Sequence, residues 1–159
     1  MTDFVAAVVG SRKRVSDSDR RLVFEIVGWL QQTYPSLRLT SGGCPTGADF
    51  FMEEAAVHFN IPTKIWYPKC SRCGERRVSH QCGVKKKTRG EFAAENYARN
   101  GEVAEDCTEM FALTDPDHPE RGGTANAISN TVKRNKRVHM YDKLWNVTTK
   151  DPIPKLFIK

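Results

Sequence analysis

Residues 37–56 read LRLTSGGCPTGADFFMEEAA, and the chain changes period across them. Leu37–Thr40 is a short apolar and β-branched run of strand character. Ser41-Gly42-Gly43 ends it, and the loop continues through Cys44-Pro45-Thr46-Gly47. From about Asp49 to Phe59 the pattern is helical, with Pro62 beyond its end. A strand that passes through glycines onto a helix N-terminus is one step of a βαβ unit.

The same step recurs outward in both directions. Phe4 to Val9 is a continuous apolar run closed by Gly10, which suits a strand buried on both faces of a parallel sheet. Ser16-Asp17-Ser18-Asp19 supplies capping side chains, and Leu22, Val23, Ile26, Val27 and Leu30 follow at helical spacing. Thr63–Tyr67 predicts a third strand, Glu91–Asp106 a helix that Gly101 kinks, and Met110–Leu113 a fourth strand. Gly122–Asn135 predicts another helix and Arg137–Tyr141 a fifth strand. Strands alternating with helices predict an α/β, Rossmann-like fold: an open, mostly parallel five-stranded sheet with helices on both faces. The expected organisation is one domain over residues 1–142, interrupted by an insert at 68–90, with residues 143–159 as a tail of open structure.

The insert carries its own chemistry. Residues 69–82 read KCSRCGERRVSHQC and place Cys70, Cys73, His80 and Cys82 within thirteen positions. Two thiolates on a Cys-x-x-Cys turn, with an imidazole and a third thiolate from a short extended segment, close a tetrahedron around Zn²⁺. Four protein ligands leave no open position, so the expected metal is structural. A redox pair or a cluster of unligated side chains is the alternative. No apolar signal segment precedes the first strand and no run is long enough to cross a bilayer, so the expected setting is cytoplasmic, with reduced thiols.

A length of 159 residues with 39% apolar content suits one well-cored domain. The net charge of +6 is concentrated in the insert, where Lys69, Arg72, Arg76, Arg77, Lys85, Lys86, Lys87 and Arg89 face Glu75 alone. Such a patch is either a phosphate or nucleic-acid contact surface or a solvated charge run.

In a doubly wound sheet, ligands bind beyond the carboxyl ends of the strands. Three loops fall there: Gly10-Ser11-Arg12, Ser41 to Asp49 with Gly42, Gly43, Thr46 and Gly47, and Arg121-Gly122-Gly123-Thr124. Glycines let backbone approach an anion, and helix N-termini offer N–H groups to it. There is no G-x-G-x-x-G and no Walker lysine motif, which disfavours a dinucleotide dehydrogenase or a P-loop NTPase. Asp49 doubles as a helix-capping residue, and Arg99 is also placed for a surface ion pair. Cys44 and Cys107 stand apart as small core or loop residues.

The segments VVGSRKR (8–14), SGGCPTGADFFMEEAA (41–56), NYARNGEVAEDCTEMFAL (96–113) and GGTANAI (122–128) resemble the SLOG superfamily of Rossmann-like nucleotide-binding proteins, most nearly its YspA-like group. That superfamily includes the Lonely-guy phosphoribohydrolases and DNA-processing protein A. The resemblance implies a nucleotide or nucleotide-derived ligand across the Gly10, Gly42 and Gly122 loops, its phosphate against Gly122-Gly123-Thr124. It places Arg99 at a functional arginine, with Asn100 beside it, and Asp106 at the acidic residue before a strand. The Lonely-guy pattern P-G-G-x-G-T-x-x-E is broken here, and Ala127 stands where chemistry would need the glutamate. N-glycosidic cleavage of a nucleoside monophosphate would then fall to Asp49 or Glu53, assisted by Arg99. The alternative function is single-stranded nucleic-acid binding through the basic insert, as in DNA-processing protein A. A homo-oligomer is an expectation of the same resemblance.

Overall fold

The computed structural model describes residues 3–78, 80–83 and 85–153. The strands are β1 Phe4–Gly10, β2 Leu37–Ser41, β3 Thr63–Ile65, β4 Glu109–Leu113, β5 Arg137–Tyr141 and β6 Val147–Lys150. The helices are α1 Asp17–Thr33, α2 Ala48–Phe59, α3 Arg89–Asp106 and α4 Gly122–Lys133. They form one sheet in the order β3-β2-β1-β4-β5-β6, parallel from β3 to β5. The five expected strands are all present. A sixth, β6, comes from residues read as tail and pairs antiparallel with β5. The sequence hid it because VTTK is wholly exposed and shows no alternation.

β1 is buried from Phe4 to Val9 because both of its faces are covered. Phe4, Ala6 and Val8 pack with Val23, Val27 and Leu30 of α1 and with Met52 of α2. Ala7 and Val9 pack with Met110, Ala112, Val103 and Ile128 on the opposite face, under α3 and α4. Side-chain alternation along β1 thus divides the core into two layers. Ser16 caps α1 by accepting from the Asp19 N–H. Thr88 and Glu91 form a capping box at the start of α3.

α3 runs as one helix from Arg89 to Asp106, with no break at Gly101. Gly101 instead faces α4, where an added Cβ would stand 3.6 Å from the Arg134 guanidinium and 3.7 Å from Asn130. The loop after β1 is closed by Arg14, whose guanidinium donates to Asp19 Oδ1 (2.9 Å) and to the carbonyls of Thr114, Tyr141 and Asp142 (3.0–3.1 Å). Strand order reverses across β1, so the crevice between the carboxyl ends of β1 and β4 is where this architecture holds ligands.

Candidate functional site

A cavity of about 330 Å³ occupies that crevice. β1 delivers Gly10, Ser11, Arg12 and Lys13, and the loop after β2 with the start of α2 delivers Cys44 and Asp49. Asn96, Arg99 and Asn100 come from α3, and Asp115, Arg121, Gly122, Gly123, Thr124 and Ala127 from the β4–α4 connection. Two glycines are required by space. A Cβ at Gly10 would stand 2.7 Å from the Ala48 Cβ, because the start of α2 crosses the end of β1. One at Gly42 would lie 2.8 Å from Arg99 Cδ and Nε.

The anion-seeking end is the start of α4. Its N-cap position, Arg121, makes no side-chain cap hydrogen bond, and its first turn holds no acid. A Cβ on Gly122 or Gly123 would meet nothing within 4 Å. Gly122, Gly123 and Thr124 of this turn line the cavity, and a helix N-terminus offers unpaired N–H groups and positive potential. Asn100 fixes this turn to α3: its Nδ2 donates to the Gly123 carbonyl (3.2 Å) and to Asn126 Oδ1 (3.1 Å), while its Oδ1 accepts from Arg99 Nε (3.2 Å).

The other end is built on Asp49. Its Oδ2 accepts from the Gly42 N–H (3.2 Å), and Arg99 donates to the Gly42 carbonyl. Burial pushes the Asp49 carboxyl up to about 6, and the Arg99 charge and the surrounding N–H groups limit the rise. Burial likewise lowers the Arg99 guanidinium, with Asp49 opposing it. Asp115 is the contrasting carboxylate, held at about 2 by the N–H groups of Asp117 and His118 and by Lys13. Lys13 Nζ lies 3.4 Å from Asp115 and 3.8 Å from Asp117.

Asp49 has a pH consequence whose sign is fixed by the direction of its shift. The folded carboxyl holds its proton more tightly than the unfolded one, so it costs nothing below about pH 4, and the cost grows until about pH 6. Asp49→Asn should abolish a loss of about 3 kcal/mol between those limits. Urea titrations of both proteins from pH 4 to 7 measure this; parallel curves would show that Asp49 is not the titrating group.

The second site is in the insert. Ligand atoms of Cys70, Cys73, His80 and Cys82 all lie within 4.8 Å of one another, and Cys73 Sγ is 3.4 Å from His80 Nε2. A tetrahedral ion with thiolate bonds of about 2.3 Å separates its ligands by roughly 3.5–4 Å, so a small contraction seats a metal. All five cysteines of the chain are free thiols. Burial raises the Cys70 thiol, but Lys87 and the N–H groups of Cys73 and Arg72 outweigh it and bring it down to about 6. The neighbouring Cys73 and burial raise Cys82, favouring its neutral thiol. The Cys₃His set can hold a metal ion.

No protein-family model and no curated protein matches the chain. Solved structures do. The molybdenum cofactor binding protein of Rippkaea orientalis aligns with a TM-score of 0.62 at 15% identity, over 90% of this chain and 78% of its own. The molybdenum cofactor carrier protein of Chlamydomonas reinhardtii aligns at 0.59 and 14%, over 87% and 76%. DNA processing protein A of Helicobacter pylori, described for its single-stranded DNA binding mode, aligns at 0.61 and 16%, and the chain spans 65% of its length. The chain shares the fold of these three proteins.

Within this fold, the expected residues Gly10, Ser11, Arg12, Asp49, Arg99, Asn100, Gly122, Gly123 and Thr124 converge on one cavity. Ser41, Gly42, Gly43, Thr46 and Gly47 are not among its lining residues. Ser41 lies behind it, where its Oγ accepts from the Gly43 N–H (3.0 Å) and donates to Glu53 (3.1 Å). Gly43 packs under the Tyr67 ring, and Thr46 is exposed. Glu53 was expected as a catalytic carboxylate, but it sits one turn further along α2 and lines a separate cleft with Val57 and Ile65. Asp106 also lies elsewhere: Arg38 pairs with it through two nitrogens (2.9 and 2.7 Å) and, with Trp66, holds it near 2. Trp66 lies with Asp106 between Lys64 and Arg76, outside the cavity. His118 is exposed on its loop.

Sequence reasoning missed Lys13, Cys44, Asn96 and Asp115 as cavity residues. Asn96, Arg99 and Asn100 share one helix face at i, i+3 and i+4, which was the available signal for Asn96. The basic insert also differs from expectation. Lys87, one of three consecutive lysines, has a fully buried side chain that donates to Glu95 Oε1 (3.0 Å), so it cannot contact a phosphate backbone. Arg72 and Arg76 pair with Glu91 and Glu102.

Proposed function

We propose that this chain is a SLOG-type binding protein that takes a nucleotide or nucleotide-derived metabolite in the crevice between β1 and β4. The ligand's phosphate sits against Gly122-Gly123-Thr124 and is neutralised by Arg12. The observation that carries this reading is the uncapped first turn of α4 opening onto a cavity ringed by Ser11, Arg12, Lys13 and Arg121. Two fold-sharing structures named for the molybdenum cofactor and one for single-stranded DNA support phosphate-bearing ligands as the class.

The reading is binding and sensing or carriage, without bond cleavage. Ala127 lines the cavity where the Lonely-guy pattern has its glutamate, and it offers nothing to a developing positive charge. Asp49 is buried against the Gly42 N–H, and Asp115 is occupied by Lys13 and two N–H groups. In the same proposal the Cys₃His cluster holds a structural Zn²⁺, chosen because three thiolates and one imidazole in a closed tetrahedral set suit that ion.

The test is a panel of nucleoside monophosphates, the molybdenum cofactor and a short single-stranded oligonucleotide, read by calorimetry for binding and by chromatography for released base. Binding of at least one mononucleotide-sized member without base release is expected, and Arg12→Ala should weaken it about tenfold or more, the worth of one charge-assisted hydrogen bond. Released base would restore a catalytic role for Asp49. Binding of the oligonucleotide alone, abolished by replacing the exposed Lys85 and Lys86, would transfer the function to the insert.

A further inference from the structure

The insert and the cavity meet on one helix. Among the described residues of 68–90, only Pro68, Cys70 and Lys87 are buried, so the insert has no apolar core of its own. A segment of that kind is held by its metal or not at all. The first part of α3 is equally short of apolar anchorage. From Arg89 to Glu102 its buried residues are Glu95 and Asn100, both polar, and apolar burial resumes at Val103 and Ala104.

What holds this part of α3 is therefore a set of polar ties to the insert. Glu95 is the deepest of them. Its Oε2 accepts from both the N–H and the hydroxyl of Ser71, each at 2.8 Å, next to Cys70. Its Oε1 accepts from the Lys87 ammonium (3.0 Å). Glu91 and Glu102 extend the same helix face to Arg72 (2.9 Å) and Arg76 (2.8 Å). About a quarter turn around α3 lie Asn96, Arg99 and Asn100, which line the cavity.

We propose that metal occupancy of the Cys₃His cluster sets the position of the cavity-lining turn of α3, with Glu95 as the positioning residue between them. The ion orders the Cys70–Cys73 turn, that turn presents Ser71 and Lys87 to Glu95, and Glu95 fixes the helix one residue before Asn96. Loss of the ion frees Ser71 and Lys87 and leaves a buried carboxylate without partners, which drives the first turns of α3 outward. Arg99 and Asn100 then lose their register on Gly42 and Gly123. The insert is on this account a metal-dependent regulator of the cavity, which rests on the ligand site proposed above. By linkage, a cavity ligand must tighten the metal by the factor by which the metal tightens the ligand.

The experiment is hydrogen exchange on the full chain, zinc-loaded and chelator-stripped. Amides of Asn96–Asn100 should exchange about tenfold faster in the stripped protein while β1 and β4 stay protected. Acceleration confined to residues 69–83, or spread equally over β1 and β4, overturns the proposal. Glu95→Gln in the zinc-loaded protein should speed the same α3 amides with the metal still bound; unchanged α3 protection in that variant also overturns it. A separate titration with adenosine 5′-monophosphate, with and without zinc, should give equal reciprocal factors of about ten. Absence of any nucleotide binding there would count against the ligand reading and leave the exchange result to decide the coupling.

Discussion

Arg14→Met should lower the stability of the chain by about 3–5 kcal/mol. Arg14 is an unremarked member of the basic run SRKR in the sequence, yet its side chain is 4% exposed and its partner Asp19 7%. One guanidinium joins the first turn of α1, the end of β4, the end of β5 and the start of the β5–β6 turn. Trp145 Nε1 also donates to Asp19 Oδ1 (3.1 Å), and Ser16 Oγ to its other oxygen (2.9 Å). Removing the cation leaves a buried carboxylate and three carbonyls short of a donor, and each such loss is expensive in a dry site.

Thermal unfolding of Arg14→Met should show a midpoint roughly 6–20 °C below wild type. The pH response should differ as well. Burial works against the Asp19 carboxylate, but Arg14, Trp145 and Ser16 prevail and hold its pKa below the ordinary value. In the wild type the pair therefore contributes stability above the usual carboxylate range and loses it as acid protonates Asp19. Without Arg14 the buried carboxylate favours its proton, so the variant should recover ground as pH falls toward 4. A variant that unfolds like wild type at neutral pH would show that water replaces the guanidinium without cost.

Cys70→Ser carries the second large effect. Structural zinc sites of this ligand type hold their ion with an apparent free energy of about 10–16 kcal/mol in small peptides, and that energy is folding energy for the segment around it. Cys70 is the buried member of the cluster, its carbonyl accepts the Gly74 N–H (2.9 Å), and its N–H donates to the Glu75 carbonyl (2.8 Å). Elemental analysis should find about one zinc per wild-type chain and less than a tenth of that in the variant. Trypsin gives an independent reading, because Lys69, Arg72, Arg76, Arg77, Lys85 and Lys86 become cleavable once the turn opens. Cleavage within 69–87 should proceed at least tenfold faster in Cys70→Ser, while the sheet stays intact on the same timescale. Equal digestion of both proteins, or equal zinc in both, would remove the metal from the account of the insert.

The parts of the fold that sequence alone revealed are those where one physical requirement dominates. A strand buried on both faces has to be apolar throughout, and Phe4–Val9 is. A helix start that crosses a strand end needs a residue without a Cβ, and Gly10 marks that crossing. The clustering of Cys70, Cys73, His80 and Cys82 was legible for a similar reason, since few tasks other than metal binding concentrate three thiols and an imidazole so closely. Residues that serve by partnership were hidden. Lys87 looks like its neighbours Lys85 and Lys86 until Glu95 is seen beneath it. Arg14 looks like Arg12, although one closes the core and the other faces the cavity. Glu53 and Asp49 lie on the same helix four residues apart, and only the depth of the loop before α2 separates their surroundings.

β6 has every residue in contact with solvent, so it adds little to the hydrophobic core. Its contribution is to the outermost parallel strand, whose ladder it completes from Val138 to Tyr141, with Asn135 gripping the Ile153 backbone through both N–H and C=O (2.7 and 3.0 Å). A parallel strand left bare is a template for a foreign strand. This hairpin blocks that template and leaves in its place a rim carrying Lys150, a residue that discourages sticking between molecules. The segment thus guards colloidal behaviour, and its loss would be felt first as precipitation at high concentration, before any change at the ligand crevice.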